Sequence, residues 1–285
     1  MKKQPVIIIG MHRSGTSMLT RFISDLGVFM GCDRSENDES EYFQNLNRWI
    51  LYQAGALWDN PYPIDLIDSS FKNSSSDIIN KRMSSFSSYS YLGLRNFVFY
   101  RDVRNLSISW GWKDPRNSLL LAIYKTVFPD AKIIHIYRNP IDVALSLQKR
   151  EKESKEISKK NFKNGIKAKF LIYQRFLNHS FAVEDLNNGI NLWEFYTKKA
   201  LEADKLFDKT LHIKYEDFLN KPTHTLRCLT NFLGLEINSE LISNVSNKVN
   251  PKRAFSFINN SEHIELYNEI KTRPLMTSLG YDKII

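Results

Sequence analysis

The chain has 285 residues, of which 42% are hydrophobic and 25% are charged, and its formal net charge is +9. A chain of this length can bury a sizeable core, and the composition is that of an ordinary globular protein. No apolar run reaches the ~18 residues that a membrane span needs. The apolar stretch after the basic N-terminus is too short for the core of a signal peptide, so we expect a cytoplasmic protein.

The positive charge and the cysteines narrow the possible partners. The excess charge favours an anionic ligand, although lysine-rich surface helices are the simpler explanation of the total. No segment has the signature of an RNA-binding module or a recognition helix, so we expect no nucleic-acid polymer as partner. Cys32 and Cys228 have no cysteine or histidine at ligand spacing, so we expect neither a disulfide framework nor a structural metal. None of these features predicts an oligomeric state.

The first element is the segment VIIIGMHRSGTS at residues 6–17. A β-branched run stops at Gly10, a short polar loop containing Gly15 follows, and apolar residues then resume at helical spacing. This pattern predicts a buried strand, a tight loop and the start of a helix. Such a loop directs backbone N–H groups, the helix dipole, hydroxyls and the Arg13 guanidinium to one point, where an anion such as phosphate binds.

The loop differs from the Walker-type loop of nucleoside triphosphatases. That loop places Gly-Lys-Ser/Thr after four residues, so that the lysine reaches the terminal phosphates and the hydroxyl holds magnesium. Here Arg13 stands where the cation belongs, and no apolar strand ends in an obvious magnesium-binding carboxylate. We therefore expect phosphate binding without a metal.

The next segments predict a mainly helical region. Residues 28–31 read as a second short strand, and residues 33–41 as a polar, acidic loop on the same side as the phosphate loop. Apolar residues at helical spacing predict an amphipathic helix that ends near Gly55. The serine-rich residues 69–90 predict a loosely packed helical excursion.

Clear strand and helix patterns resume after residue 105. Residues 106–113 predict a strand that ends at Lys113, and Pro115 begins a helix through Val127. Residues 131–137 predict a strand buried on both faces, after which Pro140 begins another helix.

The rest of the chain continues the alternation of helices and strands. A densely charged, solvated helix end covers residues 149–160, and a long helical region covers 162–207. The last clear strand is 211–217, ending in a polar turn, and short helices follow at 226–233 and 241–245. This alternation predicts an α/β fold with a mostly parallel sheet covered on both faces. Ligands bind beyond the carboxyl ends of such strands, where Arg13, Lys113 and Arg138 would converge.

Three motifs resemble those of one enzyme family. GMHRSGTS at 10–17 resembles the 5′-phosphosulfate loop of the sulfotransferases that use 3′-phosphoadenosine 5′-phosphosulfate (PAPS). YRNPIDVALSL at 137–147 resembles their 3′-phosphate motif, in which Arg138 and Ser146 would bind the ribose 3′-phosphate. WKDPR at 112–116 resembles a segment of the tyrosylprotein branch and its bacterial relatives, whose lysine contacts the transferring sulfuryl group.

The resemblance implies a P-loop-type three-layer α/β fold. It implies one domain over residues 1–285, with a variable helical insertion at about 33–105, where the match is loose. It also implies PAPS as co-substrate without a metal, and sulfuryl transfer to an acceptor hydroxyl with release of 3′,5′-ADP. By analogy the acceptor is a carbohydrate or a glycolipid precursor. A metal-dependent nucleotide or small-molecule kinase, and a non-catalytic nucleotide-binding protein that kept the fold, are the alternatives.

The resemblance also assigns site residues. Arg13 and Lys113 would stabilise the charge that develops during transfer. The 5′-phosphate would be held by Arg13, Ser14, Gly15, Thr16 and Ser17. The nucleotide would also contact Arg150, Tyr215 and, in a tail segment that closes over it, Ser256. Structural alternatives stay open: Lys113 could form a surface ion pair with Asp114, Arg150 could be merely solvated, and Tyr215 could be a packing residue.

The general base is the least defined part of the predicted site. Relatives use a glutamate or a histidine near the acceptor hydroxyl. Bacterial relatives often carry Gly-Tyr-Phe-Glu where this chain has Gln44, which cannot serve as a base. Among the acidic residues of the 33–41 loop, namely Glu36, Asp38, Glu39 and Glu41, we select Glu41. The second candidate is His12.

Overall fold

The structure is a computed structural model that describes residues 2–160, 180–236 and 239–285. It forms two compact units, Met1–Arg138 with Tyr196–Ala254, and Asn139–Phe195 with Phe255–Ile285. Part of the long helical region predicted at 162–207 lies outside the described residues. Within them, no helix is both long and apolar enough to span a bilayer.

The centre of the first unit is a four-stranded sheet. Its strands are β1 (Val6–Ile9), β2 (Gly111–Lys113), β3 (Lys132–Tyr137) and β4 (Thr210–Lys214), in the order β2-β1-β3-β4. All three pairings are parallel, which confirms the sequence prediction. Every residue of β1 is buried, because this strand has a neighbour on each side and is covered on both faces.

The described residues of the two units also form helices. In chain order they are α1 (Thr16–Asp25), α2 (Glu41–Gln53), α3 (Ser69–Met83), α4 (Tyr89–Tyr100), α5 (Leu121–Val127), α6 (Pro140–Lys160), α7 (Leu186–Leu201), α8 (Ala203–Leu206), α9 (Tyr215–Asn220), α10 (Pro222–Leu233), α11 (Ser239–Ser246), α12 (Ser261–Ile270) and α13 (Pro274–Ser278). A 3₁₀ segment, Pro115–Leu119, precedes α5. Non-helical backbone at Gly93 kinks α4.

Two apolar layers cover the sheet. On one face, Ile8 of β1 belongs to a buried cluster with Phe22 of α1 and Phe218 of α9. Elsewhere in the same unit, the Trp112 ring of β2 stacks on Phe43 of α2 at 3.9 Å between centroids. Trp112 also contacts Tyr124 of α5, with centroids 5.2 Å apart. The strands therefore lie between helices that cover both faces.

Two local sequence predictions need correction. The strand predicted at 28–31 is reduced to one parallel bridge between Phe29 and Trp110. Left-handed backbone at Gly27 and Gly31, with φ of +91° and +90°, prevents the segment from staying extended. The last strand stops at Lys214, and helix α9 replaces the predicted polar turn.

The parallel sheet brings the predicted strand ends to one edge. Ile8 of β1 is in register with Lys113 of β2 and with Ile134 of β3. Gly10 follows β1, and its φ is +139°. A Cβ at Gly10 would lie 2.2 Å from the carbonyl oxygen of Ile136, so only glycine allows the chain to turn so close to β3.

Candidate active site

The loop after β1 is held closed by its own residues. Left-handed backbone occurs at Gly10, Arg13 and Gly15, with φ of +139°, +70° and +100°. The Ser14 hydroxyl is buried, donates to the carbonyl oxygen of Met11 at 2.6 Å and lies 3.1 Å from that of Ile136. Ser14 therefore stabilises the shape of the loop through its side chain.

The loop ends at the N-terminus of α1. Gly15 is the N-cap residue and provides no side chain to cap the helix. The first N–H groups of a helix have no partner within it, so this end of α1 attracts an anion. Thr16 is buried in the first turn, whereas Ser17 is partly exposed and donates its hydroxyl to the carbonyl oxygen of Asn37 at 2.6 Å.

Tyr215 forms one wall of this loop. A Cβ at Gly15 would lie 2.4 Å from the Tyr215 ring, so the ring packs directly against the glycine backbone. Burial raises the pKa of Tyr215, so its phenol stays neutral at physiological pH. Tyr215 is thus both a packing residue and a neighbour of the predicted phosphate loop.

Lys113 ends β2 and is almost fully buried, with 2% of its surface exposed. Its ammonium donates to the carbonyl oxygen of Asn37 at 2.8 Å, and it lies 3.2 Å from both Ser17 Oγ and Glu39 Oε1. Burial lowers the pKa of Lys113, and the charge of Glu39 partly offsets this effect. Lys113 therefore lies beside the N-terminus of α1, at the predicted anion site.

Glu39, rather than Glu41, is the carboxylate beside Lys113. Glu39 is 7% exposed, and its second oxygen accepts a hydrogen bond from the Gln44 side chain. Glu41 is exposed in the first turn of α2, which Ser40 caps by accepting from Phe43 N. An acid in the first turn of a helix interacts favourably with the helix dipole, which gives Glu41 a structural role.

Asp114 pairs with Arg116 and not with Lys113. Asp114 is fully buried and lies 2.9 Å from Arg116 Nη1. It also accepts a hydrogen bond from Asn47 Nδ2 of α2 at 2.9 Å. Burial is the largest effect on Arg116 and lowers its pKa, but Asp114, Tyr196 and Glu39 together more than offset it, so the pKa of Arg116 is raised. The sequence alternative of a surface ion pair between Lys113 and Asp114 is wrong, and the role of Arg116 was missed.

His12 and Arg13 point to different surroundings. The His12 ring is buried and meets Trp58 and Tyr196 edge-on, with centroids 5.0 Å and 6.1 Å apart. The Tyr196 hydroxyl donates to the carbonyl oxygen of Trp58 at 2.9 Å, which fixes this aromatic group. Arg13 is exposed at the tip of the loop.

Arg138 follows β3 and stacks on Tyr215. Its guanidinium carbon lies 4.7 Å from the centroid of the Tyr215 ring. Nη2 donates to the carbonyl oxygen of Arg253 at 2.9 Å. A cation held over an aromatic face in this way is oriented before any ligand binds. Gly15, Tyr215 and Arg138 thus form one continuous set of contacts in the first unit.

The remaining predicted residues belong to the second unit. Ser146 is half-buried on α6. Arg150 is not merely solvated, because its Nη2 lies 2.6 Å from Oε1 of the buried Glu151. The Ser256 hydroxyl donates to Asp142 Oδ1 at 2.7 Å.

The comparison with known families identifies the chain. The sequence profile described as the sulfotransferase family matches residues 5–239, which is most of the chain. The chain belongs to the sulfotransferase family. The family predicted from the motifs is therefore confirmed, while the link to the tyrosylprotein or carbohydrate branch stays a prediction.

The structure is similar to solved sulfotransferases at low sequence identity. A sulfotransferase domain from the curacin biosynthetic pathway has a TM-score of 0.51 and 14% identity, covering 95% of this sulfotransferase and 98% of that chain. The sulfotransferase of Alicyclobacillus acidocaldarius has a TM-score of 0.49 and 15% identity, and the match covers 100% of this chain and 98% of that one. Sulfotransferase STF9 of Mycobacterium avium has a TM-score of 0.46 and 13% identity, and the match covers 96% of this chain and 78% of STF9. No protein of curated function matches the sequence significantly.

The candidate site of this sulfotransferase is built from cations, hydroxyls and backbone donors. In the part of the chain that the structure describes, no group of three His, Cys, Asp or Glu side chains could hold a metal ion. Fixed positive charge and helix-terminal N–H groups are the groups that stabilise a transferring anionic group.

Proposed function

We propose that this sulfotransferase uses PAPS to sulfate an acceptor hydroxyl and releases 3′,5′-ADP. The observation that carries the proposal is the position of Lys113. Its Nζ and the Ser17 hydroxyl both donate to one oxygen, that of Asn37, at 2.8 Å and 2.6 Å. Two donors that converge on one oxygen beside a helix N-terminus suit the oxygens of a phosphosulfate.

The loop residues fit the 5′ end of PAPS. PAPS supplies an activated sulfuryl group on a phosphate leaving group. The uncapped first turn of α1 at Gly15, Thr16 and Ser17 would bind the 5′-phosphate, and Arg13 would supply a cation from the loop tip. Because Gly10 and Gly15 have no Cβ, the loop can pack closely against Ile136 and Tyr215.

Lys113 would stabilise the charge that develops on the leaving oxygen. In sulfuryl transfer the bond from sulfur to the acceptor oxygen forms while the bond from sulfur to the bridging phosphate oxygen breaks. Negative charge therefore grows on that bridging oxygen. A buried ammonium at this place acts in a low dielectric, where its electrostatic effect is larger than in water.

Glu39 is our candidate for the general base. Its Oε1 lies 3.2 Å from Lys113 Nζ, so both would face the same reaction centre. Glu39 would take the acceptor's hydroxyl proton as the new S–O bond forms. Glu41 is exposed on α2, so we replace our first choice with Glu39. His12 stays the second candidate.

Arg138 would bind the ribose 3′-phosphate. Its guanidinium is held over Tyr215, and that ring in turn packs against Gly15 of the phosphate loop. A planar guanidinium suits bidentate contact with a phosphate. The motif adds Ser146 to the nucleotide site, and the wider family resemblance adds Arg150 and Ser256; the roles of all three stay predictions.

The acceptor and the setting of the reaction also belong to this proposal. We keep a carbohydrate or a glycolipid precursor as the acceptor, by analogy of family. A cytoplasmic location and a single domain over residues 1–285, with a helical insertion at about 33–105, stay part of the proposal. So does catalysis without a metal.

Calorimetry with three nucleotides tests the proposal. The protein should bind 3′,5′-ADP tightly without magnesium, and bind ADP and ATP at least tenfold more weakly, or about 1.4 kcal/mol. Arg138→Ala should remove this preference, whereas Arg95→Ala on exposed α4 surface should preserve it. Equal affinity for ADP and 3′,5′-ADP in the wild-type protein would overturn the proposal. Magnesium-dependent ATP binding would favour the kinase alternative.

A turnover assay separates an enzyme from a non-catalytic relative. PAPS is incubated with the protein and a panel of hydroxylated acceptors, and release of 3′,5′-ADP is measured. Tight nucleotide binding without release for any acceptor would favour the non-catalytic alternative.

A further inference from the structure

A cavity lies at the edge of the sheet opposite the candidate active site. Its volume is about 300 Å³, and we call it the basal cavity. It is lined by Val6, the first residue of β1, and Lys132, the first residue of β3, together with Lys3 and Lys209, which precede β1 and β4. It therefore lies at the amino ends of the strands, whereas Lys113 lies at a carboxyl end.

The sheet register brings three lysines to this cavity. Lys3 N donates to the carbonyl oxygen of Leu106, and Lys132 N to that of Pro5, each at 2.9 Å. Ile133 N donates to the carbonyl oxygen of Lys209, also at 2.9 Å. All three lysines are thus anchored through the backbone, and their side chains share one cavity although they are far apart in sequence.

The charges around the basal cavity are unbalanced. Asp130 is the one acidic residue among its lining residues, against three lysines. Burial lowers the pKa of Lys132, and the charges of Lys209 and Lys3 lower it further. The ammonium groups are therefore close enough to repel one another.

A structural role explains only one of the lysines. Lys132 Nζ donates to the carbonyl oxygens of Phe232 and Leu233, at 2.9 Å and 2.8 Å, at the C-terminus of α10. Cations commonly stabilise this end of a helix. Lys3 Nζ contacts only the neutral Ser109 hydroxyl, at 3.1 Å, and Lys209 has no hydrogen-bond or ion-pair partner for its side chain within the described residues.

The cavity also has an apolar wall. Val6, Trp110 and Leu233 are buried and line it, and the Trp110 indole N–H donates to the carbonyl oxygen of Lys3 at 2.9 Å. A cavity of this size with one apolar wall and a few convergent polar groups is at the small end of ligand sites.

We propose that the basal cavity binds a small organic anion that carries a phosphate or sulfate group. Lys3 and Lys209 bind the anionic group. The Lys132 ammonium uses two of its three N–H donors for the carbonyl oxygens of Phe232 and Leu233, and the third donates to the ligand. The organic part of the ligand packs toward Trp110. Such charge-assisted hydrogen bonds also relieve the repulsion among the three lysines. The proposal does not depend on PAPS or on the reaction proposed above.

Two tryptophan indoles allow the basal cavity to be observed separately. Trp110 lines this cavity, while Trp112 lies next to Lys113 and donates its indole N–H to Asn117 Oδ1 at 3.1 Å. Indole resonances of ¹⁵N-tryptophan-labelled full-length protein are assigned with Trp110→Phe and Trp112→Phe. The two rings stack with centroids 5.9 Å apart, so a shift at Trp110 is assigned to the basal cavity only where Lys3→Gln/Lys209→Gln weakens it. A shift at Trp112 that this double variant leaves unchanged reports the candidate active site.

The probes are phenyl phosphate and phenyl sulfate. We expect saturable shifts of the Trp110 resonance with at least one probe, and the stronger probe tells which anionic group the cavity takes. Lys3→Gln/Lys209→Gln should weaken this binding by about tenfold or more. The matched double variant Lys205→Gln/Lys221→Gln removes two other exposed lysines and should leave it unchanged.

Two results would overturn the proposal. One is an unmoved Trp110 resonance in the wild-type protein up to about 10 mM of both probes. The other is equal affinity in the wild-type protein and the Lys3→Gln/Lys209→Gln variant. A shift confined to Trp112 counts as the first result, because it reports binding at the candidate active site alone.

Discussion

Lys113 and Glu39 form a buried ion pair, with Nζ 3.2 Å from Oε1, where the carboxyl end of β2 meets the N-terminus of α1. Removing two charges from water costs more than such a pair commonly returns in stability, so the pair is weak evidence for a stabilising role. Buried, perturbed charges in this kind of position are typical of functional sites. The first two predictions follow from this pair.

Replacing Lys113 should slow catalysis without abolishing nucleotide binding. Lys113→Met keeps the length of the side chain and removes its charge. We expect the turnover number to fall about 10²- to 10³-fold, as for other lost transition-state donors, with less than a threefold change in the Kd of 3′,5′-ADP. Lys81→Met, an exposed lysine on α3, is the control. Undiminished turnover in Lys113→Met would show that the catalytic cation lies elsewhere.

Glu39 and Glu41 can be compared as matched variants. Glu39→Gln should lower the turnover number about 10²- to 10⁴-fold, because the proton acceptor is gone. Glu41→Gln should stay within about twofold of wild type, since this side chain is exposed in the first turn of α2. Steady-state rates with PAPS over a pH series measure both. A larger loss of turnover in Glu41→Gln than in Glu39→Gln would identify Glu41 as the base. A large loss of turnover in His12→Gln alone would favour His12.

Gly15 should not tolerate a side chain. Its φ is +100°, and a Cβ would lie 2.4 Å from the Tyr215 ring, so Gly15→Ala combines backbone strain with a steric clash. We expect a loss of about 2–4 kcal/mol in the free energy of unfolding and weaker binding of 3′,5′-ADP.

Gly27→Ala is the matched control for Gly15→Ala. Gly27 has a φ of +91°, but no atom lies within 4 Å of its Cβ position, so only the backbone strain remains. We expect a loss of about 1 kcal/mol and unchanged nucleotide binding. Urea unfolding and calorimetry measure both effects. Equal losses in the two variants would mean that the contact with Tyr215 contributes nothing.

His135 should make stability depend on pH. Burial holds the pKa of His135 at about 3, well below 6.5, and the charge of His212 adds to the effect. Below pH 6.5, His135 therefore binds a proton in the unfolded chain but stays neutral in the folded protein. The free energy of unfolding consequently falls as the pH is lowered. For one group the slope approaches about 1.4 kcal/mol per pH unit between these values.

Urea unfolding at pH 7.5 and 5.5 tests this dependence. The free energy of unfolding should decrease between these values by about 1 kcal/mol more in wild type than in His135→Val. His224→Asn, an exposed histidine on α10, should behave like wild type. A His135→Val protein with the wild-type pH dependence would contradict the prediction.

The sequence predicts the parallel sheet and the tight loop after β1 because both leave local signals. Residues 6–9 are continuously apolar and β-branched, as a strand buried on both faces requires, and glycines bracket the loop that follows. The segment 28–31 also begins with apolar residues but forms no strand. Its length is limited by Gly27 and Gly31, whose left-handed backbone turns the chain away after one bridge to Trp110.

The sequence predicts that Lys113 ends a strand, and the structure confirms that position. For the general base the sequence favours Glu41, whereas the carboxylate beside Lys113 in the structure is Glu39. The choice between Glu39 and Glu41 depends on which way two side chains point on either side of Ser40, the N-cap of α2. That direction depends on the loop path, including a left-handed Asp38, and no periodic pattern encodes it.

The sequence by itself determined the alternation of strands and helices, the glycine-bracketed loop between β1 and α1, and the family, because these depend on residues close together in the chain. Only the tertiary structure decided that Glu39 faces Lys113, that Asp114 pairs with Arg116, and that Lys3, Lys132 and Lys209 share one cavity. The physical reason is that parallel pairing aligns strands far apart in sequence. The side chains that meet at either edge of the sheet are therefore set by register and packing.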